Sequence, residues 1–151
     1  LMMRYLGNVD NDIPETAITL KSRPTNASIA VNFVESILTK HELSIKVISQ
    51  ISIVVDELFA NIAFYAYPNN HIGEATIQVD FKEDDLYLTF IDSGKQFDPT
   101  APRTTNLSTN IDERKRGGLG IFIVKNTMDE MRYEYVDNRN ILHLRKRIKG
   151  V

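Results

Sequence analysis

The chain has 151 residues, 42% hydrophobic and 25% charged, with a net charge of −2, which reads as one globular domain able to bury a core and leaves no global basic field for nucleic acid. It has no cysteine, which excludes disulfides, zinc-thiolate sites and thiol nucleophiles and suits a reducing compartment. No two of His41, His71 and His143 stand at metal-ligand spacing, no apolar run approaches the roughly 18 residues of a membrane span, and no basic-then-apolar leader is visible. The expectation is a cytoplasmic protein with no membrane or direct nucleic-acid contact.

In chain order, Ile13 to Arg23 contains the alternation Ala17-Ile18-Thr19-Leu20-Lys21 and predicts a strand closed by Pro24. Thr25 or Asn26 is placed to cap a helix running to about His41, with Ile29, Ala30, Phe33, Val34, Ile37 and Leu38 on one face. Ser44 is placed to cap a longer helix whose apolar stripe is Val47, Ile48, Ile51, Val54, Val55, Leu58 and Ile62, ended by Pro68-Asn69-Asn70. Ala75–Phe81 and Leu86–Ile91 alternate and predict a hairpin across Glu83-Asp84-Asp85. Apolar periodicity then stops from Pro99 to Arg116, a stretch rich in Pro, Thr, Asn and charge that reads as a functional lid. A helix from about Leu119 to Met128 follows, then strands Arg132–Val136 and Ile141–Ile148, joined by Asp137-Asn138-Arg139-Asn140. This order, without strict strand-helix-strand alternation, predicts an α+β two-layer sandwich: a mostly antiparallel sheet with helices on one face.

Three short motifs carry the chemistry. Glu57 and Asn61 are four residues apart, so they share one side of the second helix, at the edge of its apolar stripe. A carboxylate and a carboxamide there offer oxygen ligands to magnesium, or a base toward a hydroxyl. Asp92 ends an apolar strand and precedes Ser93-Gly94. It can accept a hydrogen bond from an exocyclic amine such as that of adenine, Gly94 lets backbone approach a flat ring, and Phe97 packs near the base or under the loop. Arg116-Gly117-Gly118-Leu119-Gly120-Ile121 opens a helix; its free N–H groups and helix dipole suit phosphate, and Arg116 adds a pairing charge. In the lid, Arg103, Arg114 and Lys115 are further cations within reach of phosphates on closure. Taken singly, each motif is equally a solvated helix pair, a turn or a hinge. In this order they predict a site for ATP and a divalent metal. The P-loop pattern G-x-x-x-x-G-K-[ST] and the G-x-G-x-x-G fingerprint are both missing from the chain.

The set resembles the GHKL ATPase superfamily: Glu57…Asn61 its N box, Asp92-Ser93-Gly94 its G1 box and Gly118-Leu119-Gly120 its G2 box. Within it, the run Asp56-Glu57-Leu58-Phe59-Ala60-Asn61-Ile62, then Tyr67, Phe97-Asp98-Pro99 and Met128-Asp129-Glu130, is similar to the small anti-sigma-factor serine kinases of the SpoIIAB and RsbW type. The resemblance spans about Ile13 to Ile148. It implies a Bergerat-type sandwich forming a single histidine-kinase-like ATPase domain over residues 1–151, with an ATP lid at about 99–116. It also implies a magnesium ion on Asn61 bridging ATP phosphates, Glu57 as general base toward a protein serine or threonine, and Asp92 reading the adenine amine. Gly94, Phe97, Gly118, Leu119, Gly120 and Ile121 would line the nucleotide, with Arg116 near the terminal phosphates. The implied partners are a sigma factor, an anti-anti-sigma protein of the STAS type and a second copy of the chain.

Two positions depart from that pattern. Tyr65 stands where the family often has histidine. Asn140-Ile141-Leu142-His143 stands where many members place a threonine to support the adenine aspartate. Two other readings stay open: a nucleotide-gated protein-binding regulator without phosphotransfer, and a catalytic domain cut from a two-component sensor. The strand and helix between Ile13 and His41 argue against the second.

Overall fold

The computed structural model describes residues 16–68, 71–101 and 119–149. Its strands are β1 (Ala17–Lys21), β2 (Glu74–Lys82), β3 (Asp85–Asp92), β4 (Glu130–Val136) and β5 (Arg139–Arg147); its helices are α1 (Ala27–Lys40), α2 (Ile45–Asn61) and α3 (Leu119–Thr127). The strands form one sheet in the order β1-β2-β3-β5-β4, every neighbouring pair antiparallel. The expected α+β architecture is the observed one.

Alternation fixes the faces. Ala75, Ile77 and Val79 of β2, Leu86, Leu88 and Phe90 of β3, and Leu142 and Leu144 of β5 are buried on the inner face. There they join Ala30, Val34 and Leu38 of α1, Ile51, Val54, Val55 and Leu58 of α2, and Ile121 and Val124 of α3 in one core. Register places Val79 opposite Leu88, Leu88 opposite Leu144 and Phe90 opposite Leu142, and the same inner rows end in Asp92 opposite Asn140. The apolar rows thus finish, at one end of the sheet, on a buried polar pair. The outer face carries polar partners, among them the Thr19–Thr76 hydroxyl pair at 2.8 Å and the His143–Glu134 contact at 2.7 Å.

Local structure departs from expectation at four places. The Asn26 side chain does not cap α1; it donates to the Lys21 carbonyl at 2.9 Å, after a 3-10 turn over Pro24–Asn26. Ser44 does cap α2, accepting from the Val47 N–H at 3.2 Å. The link between the last two strands is two residues, not four. Asp137 and Asn138 have φ of 54° and 62°, the left-handed pair of a tight hairpin turn, so Arg139 and Asn140 belong to β5. Asp85 likewise belongs to β3, paired with Lys82. Finally, α2 runs on into a π turn over Ile62–Ala66, the kind of widened turn that gathers at functional sites.

The continuous helix Ile45–Ala66 has 22 residues and contains an 18-residue window of mean hydropathy 1.6, enough by length and composition to cross a membrane. The core helix of a soluble domain passes the same test. Here Ile51, Val54, Val55, Leu58 and Phe59 are buried in the core between sheet and helices, and Asp56, Glu57 and Asn61 interrupt the helix.

Tyr67 fastens the end of this helix to the sheet. Its hydroxyl donates to the Glu74 carbonyl at 2.6 Å and accepts from the Ser93 N–H at 2.9 Å. Tyr67→Phe removes that shared partner from three backbone groups, the Glu74 carbonyl and N–H and the Ser93 N–H. Stability is expected to fall by about 1–3 kcal/mol, as measured by urea denaturation.

Candidate nucleotide site

A cavity of about 130 Å³ opens between α2, β3 and β5. Leu58, Ile62, Ala66, Phe90 and Leu142 give it apolar walls; Asn61, Tyr65, Asp92, Lys95, Phe97, Pro99, Tyr133 and Asn140 complete it. A mostly apolar cavity with a few convergent polar groups is the usual form of a small-molecule site.

Asp92 is the buried end of that cavity, 9% exposed. Its Oδ1 accepts from the Gly94 N–H at 2.8 Å and from Asn140 Nδ2 at 2.9 Å. Burial pushes its carboxyl above the ordinary 3.8, against the opposing pull of those two hydrogen bonds. Asn140, in the stretch noted as a departure in the sequence, therefore hydrogen-bonds the aspartate directly through its carboxamide. The same side chain also donates to the Lys95 carbonyl at 3.0 Å and accepts from the Phe97 N–H at 3.1 Å and from the Tyr133 hydroxyl.

A carboxyl whose folded value is raised favours the fold below its unfolded value, and that stability is lost as pH rises through the folded value. The ionised form of Asp92 is thus held at a cost to the fold. Asp92→Asn is expected to raise the melting temperature of the nucleotide-free protein at neutral pH, and this gain should vanish in acid. Calorimetric melts across pH measure it.

Asn61 lines the cavity. Glu57, one turn earlier, is half-buried, and its carboxyl is also pushed above the ordinary 4.5, first by burial and then by Asp56. Gly120, buried at the start of α3, faces it: a Cβ built there would collide with Glu57 Oε1 and lie 3.3 Å from its Cδ. The missing side chain leaves the space the carboxylate occupies.

Gly94 is explained differently from the sequence reading. A Cβ there would lie 2.6 Å from the Ala66 Cβ and collide with the Ala66 carbonyl, while the Lys95 N–H donates to that carbonyl at 2.9 Å. Its backbone approaches the π turn of α2, not the cavity. Phe97 is at the cavity wall, half-exposed. Ile121 lies in the core and Leu119 is exposed; neither lines the cavity. Arg116 and Gly118 lie outside the described residues, as do Arg103, Arg114, Lys115, Gly117 and the lid beyond Ala101. Tyr65, Lys95, Tyr133, Asn140 and Leu142 were not singled out as site residues from sequence. Asn140 reaches the site through strand register opposite Asp92, which the structure supplies.

Among the described residues no three His, Cys, Asp or Glu side chains converge as a metal cage. Asn61, at the cavity wall, offers a carboxamide oxygen of the kind magnesium takes beside waters and phosphate oxygens.

The family model described as histidine kinase-like ATPase domain matches residues 20–146, and the chain belongs to that family. It is 22% identical over 129 residues to a Listeria innocua protein named serine-protein kinase RsbW, covering 83% of this chain and 82% of that one. To a protein of the same name from Staphylococcus aureus it is 32% identical over 89 residues, 56% of each chain.

Proposed function

We propose that this chain is an ATP-dependent protein serine/threonine kinase. It would hold a sigma factor inactive, and phosphorylate an anti-anti-sigma protein of the STAS type to release it. The observation that carries the reading is the mostly apolar cavity closed by Asp92, with Asn61 on its wall and Glu57 one helical turn away against α3. The relatives named serine-protein kinase support the choice of phosphate acceptor.

In this reading Asp92 Oδ2 takes the adenine amine and Phe97 lies by the base. Asn61 holds magnesium, and Gly118, Leu119, Gly120 and Arg116 serve the phosphates. Bound Mg·ATP supplies the phosphoryl group to be transferred. Glu57 accepts the proton of the incoming serine or threonine hydroxyl, and a carboxyl raised by burial is better suited to that than a solvated one. The chain acts as one domain, in the cytoplasm, as a homodimer.

Incubation with Mg·ATP and a cognate STAS protein is expected to place phosphate on a serine or threonine of that protein. No transfer to a partner shown to bind would contradict the kinase assignment and leave a nucleotide-gated binding module.

A further inference from the structure

We propose that Asn140 sets the purine preference of the cavity by fixing which oxygen of Asp92 faces the base. This rests on the nucleotide reading above. The carboxamide has no freedom to turn over. Its Oδ1 is held by two donors, the Phe97 N–H at 3.1 Å and the Tyr133 hydroxyl; its Nδ2 is held by three acceptors, Asp92 Oδ1 at 2.9 Å, the Lys95 carbonyl at 3.0 Å and the Gly94 carbonyl at 3.4 Å. A flipped amide would set oxygen against a carboxylate and a carbonyl, and N–H against N–H. A hydroxyl at this position would rotate to suit either neighbour; the amide imposes one polarity.

That polarity is passed to Asp92. Two donors, Asn140 Nδ2 and the Gly94 N–H, converge on Oδ1. No hydrogen bond among the described residues reaches Oδ2. One atom of residue 92 must therefore be an acceptor turned to the protein, and the other is presented to the ligand. With aspartate the presented atom is also an acceptor, which suits a 6-amino purine and repels a 6-oxo purine. Asn140 is thus a positioning residue that confers specificity through Asp92.

The test is calorimetric titration of magnesium complexes of ATP and ITP, which differ at the purine 6-position, with melting temperatures of the nucleotide-free proteins as control. Wild type is expected to favour ATP, and Asn140→Ala to narrow the ATP-to-ITP ratio by roughly tenfold, mainly by weakening ATP. In Asp92→Asn the amide oxygen replaces Oδ1 and the amide nitrogen replaces Oδ2, so preference should shift toward ITP. Adding Asn140→Ala should reduce that shift, because the amide of residue 92 is then free to turn. The proposal is overturned if folded Asn140→Ala keeps the wild-type ratio, or if Asp92→Asn weakens both nucleotides equally. Wild type binding neither nucleotide would overturn the nucleotide reading, and this one with it.

Discussion

Glu57→Ala is expected to slow phosphoryl transfer by about 10²–10⁴-fold, the usual worth of a positioned general base, while ATP affinity stays within about twofold of wild type. The split follows from position. Glu57 sits beyond the cavity's lining, one turn before Asn61, with its carboxylate against Gly120. Its interaction with the acceptor hydroxyl strengthens only as the proton leaves, so its loss falls on kcat. Single-turnover transfer to the STAS partner, paired with ATP titration, separates the two quantities. The raised carboxyl of Glu57 adds a condition: the acid limb of kcat should lie above the ordinary value of 4.5 for a glutamate. Partner release that survives Glu57→Ala would show that catalysis is not the switch.

Gly120→Ala tests the same carboxylate from the other side. The new methyl group would overlap Glu57 Oε1. That oxygen is the far end of a flexible, half-buried side chain, so Glu57 gives way and the helix stays. Alanine is also the better helix former by about 1 kcal/mol, and the melting temperature should hold or rise. The catalytic cost should nevertheless approach 10²-fold, the scale of a misplacement of about 1 Å at a reacting group. A more stable protein with a slower transfer step is the expected signature. Unchanged kcat would remove Gly120 from the positioning of the base.

What could be read from the sequence follows which physics is local. The α2 stripe was set by 3.6-residue periodicity, and Glu57 and Asn61 were placed at its edge by spacing alone; Asn61 does reach the cavity. Asp92 was legible because it closes an apolar strand and precedes Ser93-Gly94; in the structure it is in phase with the buried Leu86, Leu88 and Phe90. Asn140 was hidden by its neighbours. Asp137-Asn138-Arg139-Asn140 is turn-forming composition throughout, and only the left-handed φ of Asp137 and Asn138 shortens the turn and sends Asn140 into register opposite Asp92.

Gly94 was singled out for close backbone approach, and the neighbour its backbone meets is Ala66. The π turn over Ile62–Ala66 breaks the helical period, so no periodicity argument brings Ala66 beneath the loop. Phe59, fully buried, was missed from the stripe because helix-to-helix packing, which widens the buried side of α2, is tertiary. Ile121 was grouped with the nucleotide through its motif, whereas in α3 it belongs to the core.

The central claim is that this domain binds ATP through a metal held at Asn61. The direct measurement is ATP titration by calorimetry with and without magnesium, on wild type and on Asn61→Ala. The account predicts binding that requires magnesium in wild type and is lost in Asn61→Ala, with the melting temperature retained. Absence of ATP binding by wild type, or binding indifferent to both magnesium and Asn61, would contradict it.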